Sequence, residues 1–476
     1  MISGKSLAKN FFIQTTGKIT SICIGLVTIA LITRALGVEH FGEYTTAITF
    51  LQFFGVIVDF GLSLMLVIMI SEPNTHEKKL VGNFLGLRLV SGLVLFSLAP
   101  IMVLAFPWSH TIKQAVLVGS FAYFLMGGAT MLIGIFQKYE SIWRSSVAEL
   151  INRLVLLLTI LVCVYFQLGV IAMMVGSVIA NAIWFVCILL FARPFVRVVP
   201  LFDVDVWKKI LVRSWPIAIS ILFNLMYLKG DVLLLAYFKT QTDVGMYGAA
   251  YRVLDVLTVL PTMFMGLLLP SLVHAWKNGD HTTFKQRLSR TFDLFMLAVI
   301  PLMVGTQVVG VPLIQFIAGD GYEQGGEVLK ILMLAMFGVF IGTLFGHLVV
   351  ALDKQKTMIW GYGITAIITL AGYTLFIPAY GIWGAAWMTV FSELLVAIIT
   401  AVLVYNASKA HVHLSVFFKS CLASAVMYTT LLSVPSWHVL VQILFAVGIY
   451  LVCMLLLKGI TKEDLTIIMP QKAPRV

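Results

Sequence analysis

Charge is what this 476-residue chain has least of: Asp, Glu, Lys and Arg together make only 11% of it, against 60% apolar residues and a mean hydropathy of +1.01. A soluble chain of this length needs a far more polar surface, so a water-soluble globular protein is excluded. Cysteine is scarce as well. The five (Cys23, Cys163, Cys187, Cys421 and Cys453) all fall inside apolar stretches without metal-ligand spacing, which argues for packing roles and against a disulfide framework or a thiolate metal site. No glycine-rich phosphate loop or nucleotide-binding domain is found, which argues against direct use of ATP. Long polar connections are missing too, so there is no soluble domain.

What the chain does have is fourteen apolar runs, each near the roughly 20 residues that a spanning helix needs. They lie near 11–33, 44–70, 80–105, 114–136, 147–166, 169–191, 214–237, 245–272, 289–316, 328–352, 357–377, 382–406, 415–434 and 438–457. An even count puts both termini on one side. With that side cytoplasmic, the inner segments hold 25 of the 32 Lys and Arg residues, including Lys78, Lys79, Arg88, Lys138, Arg144, Arg153, Lys208, Lys209, Arg213, Lys285 and Arg287. The outer side keeps Arg34, Lys113, Lys239 and Lys330. Basic residues held inside orient the chain with both termini cytoplasmic. The net charge of +11 is mostly this bias, which favours anionic lipid head groups as partners. Spread over separate inner segments, it gives no nucleic-acid surface. The first span is too long for a cleaved signal and is expected to remain in the mature chain.

Two segments echo each other 203 positions apart: Gly42-Glu43-Tyr44-Thr45-Thr46-Ala47 opens span 2, and Gly245-Met246-Tyr247-Gly248-Ala249-Ala250 opens span 8. Leu168-Gly169-Val170 before span 6 is echoed by Tyr380-Gly381-Ile382 before span 12. Polar residues recur at helical spacing in the same spans: Asn10, Gln14, Lys18, Ser21 and Thr28 in span 1, and Thr45, Thr49, Gln52, Asp59 and Ser63 in span 2. Arg213, Ser220, Asn224, Tyr227 and Asp231 do so in span 7, and Arg252, Asp255, Thr258 and Thr262 in span 8. The reading is an all-α membrane protein of about 14 transmembrane helices, with two six-helix lobes related by a parallel repeat and an added C-terminal pair. Its parts are an N-terminal lobe (1–192), a cytoplasmic linker (193–213), a C-terminal lobe (214–407), and a helix pair with a cytoplasmic tail (408–476). Spans 1, 2, 7 and 8 are expected to line a shared aqueous cavity around which the lobes rock. The alternative is that the small and hydroxyl residues only pack helices together.

Several runs resemble a known family. Arg34-Ala35-Leu36-Gly37-Val38-Glu39-His40-Phe41-Gly42-Glu43-Tyr44 and Asp59-Phe60-Gly61-Leu62 are similar to the first outer turn and second span of polysaccharide flippases. So are Asp231-Val232-Leu233-Leu234-Leu235, Asp243-Val244-Gly245-Met246-Tyr247, Gly319-Asp320-Gly321-Tyr322-Glu323 and Tyr380-Gly381-Ile382-Trp383-Gly384-Ala385-Ala386. Together they cover roughly residues 5–407 and resemble the lipid-linked oligosaccharide (O-antigen/polysaccharide) flippases of the multidrug/oligosaccharidyl-lipid/polysaccharide exporter superfamily. The resemblance implies a two-lobed, V-shaped bundle with a cationic cavity. It also implies an undecaprenyl-diphosphate-linked sugar as substrate, moved across the bacterial inner membrane for lipopolysaccharide or other surface polysaccharide. The polysaccharide polymerase and chain-length proteins become candidate partners. Many O-antigen-type members are drawn with twelve spans, and the extra pair here resembles the peptidoglycan-precursor flippases of the same superfamily.

A diphosphate needs lysine or arginine in a low-dielectric cavity, and charge at the bilayer centre needs a partner or water. Lys18 on span 1 and Arg252 on span 8 are the first candidates for diphosphate contact, followed by Arg34 at the outer rim and Lys229. Each has a plainer reading. Arg252 and Asp255 sit at i,i+3 and can form a structural ion pair, Arg34 can anchor the interface, and Lys229 can snorkel outward unless Gly230 breaks the helix. Asp59, Asp231 and Asp255 are candidates for binding Na⁺ or H⁺ as a coupling ion or for cavity ion pairs, with no other cofactor expected. Glu149 and Arg153, at i,i+4, are read as a local pair. Pro216, Pro261, Pro270, Pro301 and Pro312 suit helices that bend during alternating access. A Na⁺- or H⁺-coupled multidrug antiporter would share the fold but prefer an acidic, aromatic cavity. A membrane enzyme of the same sugar pathway would need a catalytic outer loop, and the longest outer loop, near 317–327, offers too little.

Overall fold

In hydrocarbon a backbone N–H or C=O finds no partner except another backbone group, so apolar runs of this length become helices. The computed structural model describes residues 4–73, 75–196, 198–434 and 437–459, with side chains from residue 17 onward. Asn10 and Gln14 therefore lie outside the described side chains. Every regular element among the described residues is a helix.

Among the described residues, thirteen stretches are long and apolar enough to cross a membrane. The first of them, Gly17–Ile70, has 54 residues, about 80 Å at 1.5 Å per residue against a hydrocarbon core of about 30 Å. It holds two crossings. Inside α1 (Gly4–Asp59) only Gly37 leaves the helical region, at φ 69° and ψ 176°, where a residue without Cβ turns the chain. The chain is thus an all-α, multi-pass membrane protein with fourteen crossings.

The second crossing is itself interrupted. Phe60 and Gly61 both take positive φ, 45° and 72°, between α1 and α2 (Leu62–Ile70). The remaining helices of this half are α3 (Glu77–Met102), α4 (His110–Lys138), α5 (Ile142–Tyr165), α6 (Val170–Ala192) and α7 (Val204–Phe238). Then come α8 (Gln241–Leu257), α9 (Val259–Lys277), α10 (His281–Ala318), α11 (Glu323–Ala351), α12 (Gln355–Tyr380), α13 (Ile382–Ser408), α14 (Ser415–Leu432) and α15 (Val439–Leu456). α8 and α9 together make the eighth crossing and join at Thr258, whose backbone is itself right-handed helical at φ −64° and ψ −17°.

Contacts divide the chain into two compact units, Met1–Gly245 and Met246–Val476. Each repeats one packing plan. In the first, α3 packs on α4, α4 on α6 and α5 on α6. In the second, the helices six crossings later pair in the same way: α10 on α11, α11 on α13 and α12 on α13. The C-terminal pair joins the second unit at α10, where the Tyr450 hydroxyl donates to the Leu297 carbonyl at 3.0 Å and meets Ser420 Oγ at 2.9 Å.

The stretch before the seventh crossing is strapped to α3. Leu201 N–H donates to the Gly82 carbonyl (2.9 Å), Asp203 N–H to Asn83 Oδ1 (2.8 Å) and the Trp207 indole to the Asn83 carbonyl (3.0 Å). Residues 204–213 are helical and continuous with that crossing. Arg88 and Arg153, counted above among the inner-segment cations, instead lie eleven residues into α3 and α5. Both helices began earlier than their apolar runs, so charges near their starts belong within the crossing.

Candidate functional site

A charge that stays accessible at hydrocarbon depth must face water, because lipid cannot solvate it. Three such charges meet in the first unit. α1 packs along α5 closely enough that a Cβ on Gly17 would sit 3.6 Å from the Ser146 Cβ. Next to that contact, Lys18 Nζ lies 3.2 Å from Glu149 Oε1, and Arg153 Nη2 lies 3.9 Å from the same oxygen. The three side chains are 44%, 27% and 41% exposed. Glu149 is about 10 Å and Arg153 about 16 Å along α5 from its start. One carboxylate is thus shared by two cations, and the Arg153 Nε is buried with no hydrogen-bond acceptor.

A second ion pair sits at the break in the second crossing. Arg88, 5% exposed, places Nη1 3.2 Å from Asp59 Oδ1, which also accepts from the Ser63 hydroxyl. α4 comes so near that a Cβ on Gly127 would fall 2.5 Å from Arg88 Nη2. Gly61 of the same break packs on Ile217 and the Ser214 carbonyl of α7. Beyond it, Arg213 pairs with Glu72 at 2.7 Å. Asp59-Phe60-Gly61 is therefore a helix break held on both sides.

Arg34 is exposed on α1. α7 runs unbroken through Gly230, so the helix interruption considered above is absent. Lys229 is half-buried, whereas Asp231 is fully buried and accepts from the Val232 N–H at 2.7 Å. Several residues expected to line a cavity are packed away: Ser21, Thr28, Thr45 and Thr49 are all buried. Thr28 returns its hydroxyl to the Ile24 carbonyl of its own helix. Hydroxyl spacing alone did not distinguish packing from solvation.

In the second unit Arg252 Nη1 lies 3.9 Å from Asp255 Oδ2, with side chains 23% and 39% exposed. They stand just before Thr258, where α8 joins α9. Nearby, Tyr247 and Tyr373 both place their hydroxyls 3.2 Å from Thr389 Oγ1, tying α8, α12 and α13 through one buried hydroxyl. Glu393 is buried where α11 crosses α13, and a Cβ on Gly338 would meet its backbone at 2.6 Å. An apolar groove of about 990 Å³ runs along α12 and α13 past Phe376, Trp383, Trp387 and Phe391; it carries no charged group. Lys18 and Arg252 thus lie one in each unit. Among the described residues no group of three or more His, Cys, Asp or Glu is placed to hold a metal.

The partners of Lys18 and Asp59 were not anticipated. Lys18 and Glu149 are 131 positions apart, Asp59 and Arg88 twenty-nine. Spacing along one helix says nothing about which face of another it meets.

A family model described as polysaccharide biosynthesis protein matches residues 7–276, more than half of the chain. The chain belongs to that family. The succinoglycan biosynthesis transport protein ExoT of Rhizobium meliloti is 20% identical over 348 residues, covering 70% of this chain and 67% of that protein. Among solved structures, the lipid II flippase MurJ in an inward closed conformation matches with a TM-score of 0.80 at 17% identity, over 94% of this chain and 99% of MurJ. A multidrug resistance transporter of the MATE family in an inward-facing conformation matches with a TM-score of 0.63 at 12% identity, over 82% and 94%. At these identities the likeness is one of fold: the chain has the fold of the multidrug/oligosaccharidyl-lipid/polysaccharide exporters. The relatives and solved structures named here are described as transport proteins, not as enzymes.

Proposed function

We propose that the protein is a flippase that carries a polyprenyl-diphosphate-linked oligosaccharide, undecaprenyl in a bacterium, from the inner to the outer leaflet of the cytoplasmic membrane for surface polysaccharide. The carrying observation is the Lys18–Glu149–Arg153 cluster, where two accessible cations at membrane depth share one carboxylate and leave a net positive site. Such a site suits a diphosphate far better than a cationic drug. In the second unit Arg252, 3.9 Å from Asp255, is a separate candidate cation for the diphosphate. Family membership supports a sugar-linked substrate, and the fold supports alternating access of the head group while the lipid tail stays in the bilayer. Both termini are cytoplasmic in this reading, because most basic residues then lie inside. Na⁺ or H⁺ at Asp59, Asp231 or Asp255 is the proposed coupling step, and the polymerase and chain-length proteins are the proposed neighbours.

The test is translocation of a radiolabelled undecaprenyl-diphosphate sugar in proteoliposomes, with and without an ion gradient. Protein-dependent movement supports the flippase, and acceleration by a gradient supports coupling. Absence of movement with any sugar-lipid, together with uptake of a cationic dye, overturns it in favour of a multidrug antiporter.

A further inference from the structure

The carboxylate of the cationic cluster is the unexpected member. A site meant only to attract phosphate gains nothing from an acid between its two cations, because Glu149 cancels half of the charge. It also competes for the very donors a phosphate oxygen would use. Three features show that Glu149 holds its place loosely. Its contacts with Lys18 and Arg153, 3.2 Å and 3.9 Å, are longer than the 2.7–2.9 Å of a tight charge-assisted hydrogen bond. Both cations converge on a single oxygen, Oε1. The Arg153 Nε is still without an acceptor, although it is buried.

We infer that Glu149 is a built-in stand-in for the substrate's phosphate: it occupies Lys18 and Arg153 when the transporter is empty and yields them to a diphosphate. This rests on the flippase reading above. The doubly charged group wins because it brings two negative centres and more acceptor oxygens to donors that a single carboxylate leaves partly unused. The same competition keeps the loaded state from becoming too stable. A carrier site must bind well enough to load and weakly enough to empty, and a returning carboxylate pushes the phosphate off. It also leaves the empty site with one net positive charge rather than two while the lobes rock back without cargo, and uncompensated charge at that depth is costly.

The experiment uses the purified full chain in lipid nanodiscs with farnesyl diphosphate as the probe, alongside turnover of the undecaprenyl-diphosphate sugar in proteoliposomes. Glu149→Gln is expected to bind farnesyl diphosphate about tenfold more tightly, equivalent to about 1.4 kcal/mol. Its KM and kcat should fall together, because release becomes slow. A merely structural role for Glu149 predicts the opposite: weaker binding with a lower melting temperature. Glu149→Ser, a smaller replacement that also removes the carboxylate, is expected to behave as Glu149→Gln does, so poor folding of one variant leaves the other to decide. If wild-type protein binds the probe and both variants bind it equally or more weakly, the stand-in is overturned while the flippase reading survives. If wild-type protein does not bind farnesyl diphosphate at all, the diphosphate reading falls and the stand-in falls with it.

Discussion

Gly42 and Gly245, equivalent positions 203 residues apart in the sequence repeat, face each other where α1 crosses the start of α8. The contact is reciprocal. A Cβ on Gly42 would lie 1.8 Å from the Gln241 carbonyl oxygen, and one on Gly245 would lie 2.0 Å from that of Val38. Val38 and Gln241 are themselves 203 apart, so each glycine packs on the carbonyl one turn before its counterpart. The Thr46 hydroxyl adds a 2.8 Å hydrogen bond to the Gln241 side chain. Neither helix can carry a side chain here without separating from the other.

Gly42→Ala and Gly245→Ala should therefore each destabilise the protein by about 1–3 kcal/mol, the usual cost of overpacking a close contact. The obstacle is backbone, which cannot swing aside. Gly25→Ala, where nothing lies within 4 Å of the added carbon, is the control. It should be neutral or slightly stabilising, since alanine favours helix over glycine. Thermal melting of the three variants in one detergent checks this. Equal melting temperatures for Gly42→Ala and Gly25→Ala would show that the crossing is not the tight contact described.

Arg88 and Asp59 form a strongly buried ion pair in the first unit. Removing one partner of such a pair typically costs about 3–5 kcal/mol because the other charge is left in low dielectric. Asp59 is 23% exposed and Arg88 only 5%, so the loss of Asp59, which strands the deeper charge, should be the more damaging change. Asp59→Asn and Arg88→Gln should each lower the yield of folded protein, and the double variant should recover part of the loss. A double-mutant cycle on melting temperature measures the coupling. Simple additivity would mean that the two groups do not interact.

The number of crossings was legible because an apolar run near 20 residues has few other fates, and the repeat register was legible from Gly42 and Gly245. Both of these are local properties of the chain. The break at Phe60–Gly61 was not visible, since apolar periodicity continues through it and only the two positive φ values reveal it. Nor were the partners of the charges. Arg252 and Asp255 could be paired on paper because three positions on a helix bring side chains together. Lys18 and Glu149 could not, because their meeting depends on how α1 is rotated against α5. Ser21 and Lys18 were read on one polar face, yet Ser21 is buried and Lys18 accessible. Where a helix is packed on most sides, polarity alone does not say which polar side chain meets water.

The strap before α7 carries a pH dependence of definite sign. Lys79 donates to Asp203 at 2.8 Å, and with the Val206 N–H it holds that carboxyl below its ordinary value of 3.8. A depressed folded-state value contributes stability above the unfolded value and loses it as pH falls through the folded one. The contribution should thus be complete at neutral pH and fade below about pH 4. Asp203→Asn keeps a side-chain acceptor for the start of α7 but removes the charge. The melting-temperature gap between wild type and Asp203→Asn should be open at pH 7 and narrow progressively as pH falls below about 4. A gap that persists at low pH would assign the effect to something other than the Lys79–Asp203 charge pair.

If Lys18 and Arg252 hold the diphosphate, each contributes a charge-assisted hydrogen bond, worth about 1.5–3 kcal/mol in a partly shielded site. Lys18→Ala and Arg252→Ala should each reduce translocation of the undecaprenyl-diphosphate sugar by about tenfold or more at equal protein level. Their melting temperatures should change little, because both side chains are partly accessible and only loosely paired. Lys18→Arg should retain most activity, since it preserves the cation, whereas Arg34→Ala, at an exposed position 16 residues further along α1, should change transport little if the effect is specific to Lys18. Full transport by both alanine variants would remove Lys18 and Arg252 from the binding site. Loss in Lys18→Ala alone would place the diphosphate on the α1–α5 cluster and leave Arg252 as the structural partner of Asp255.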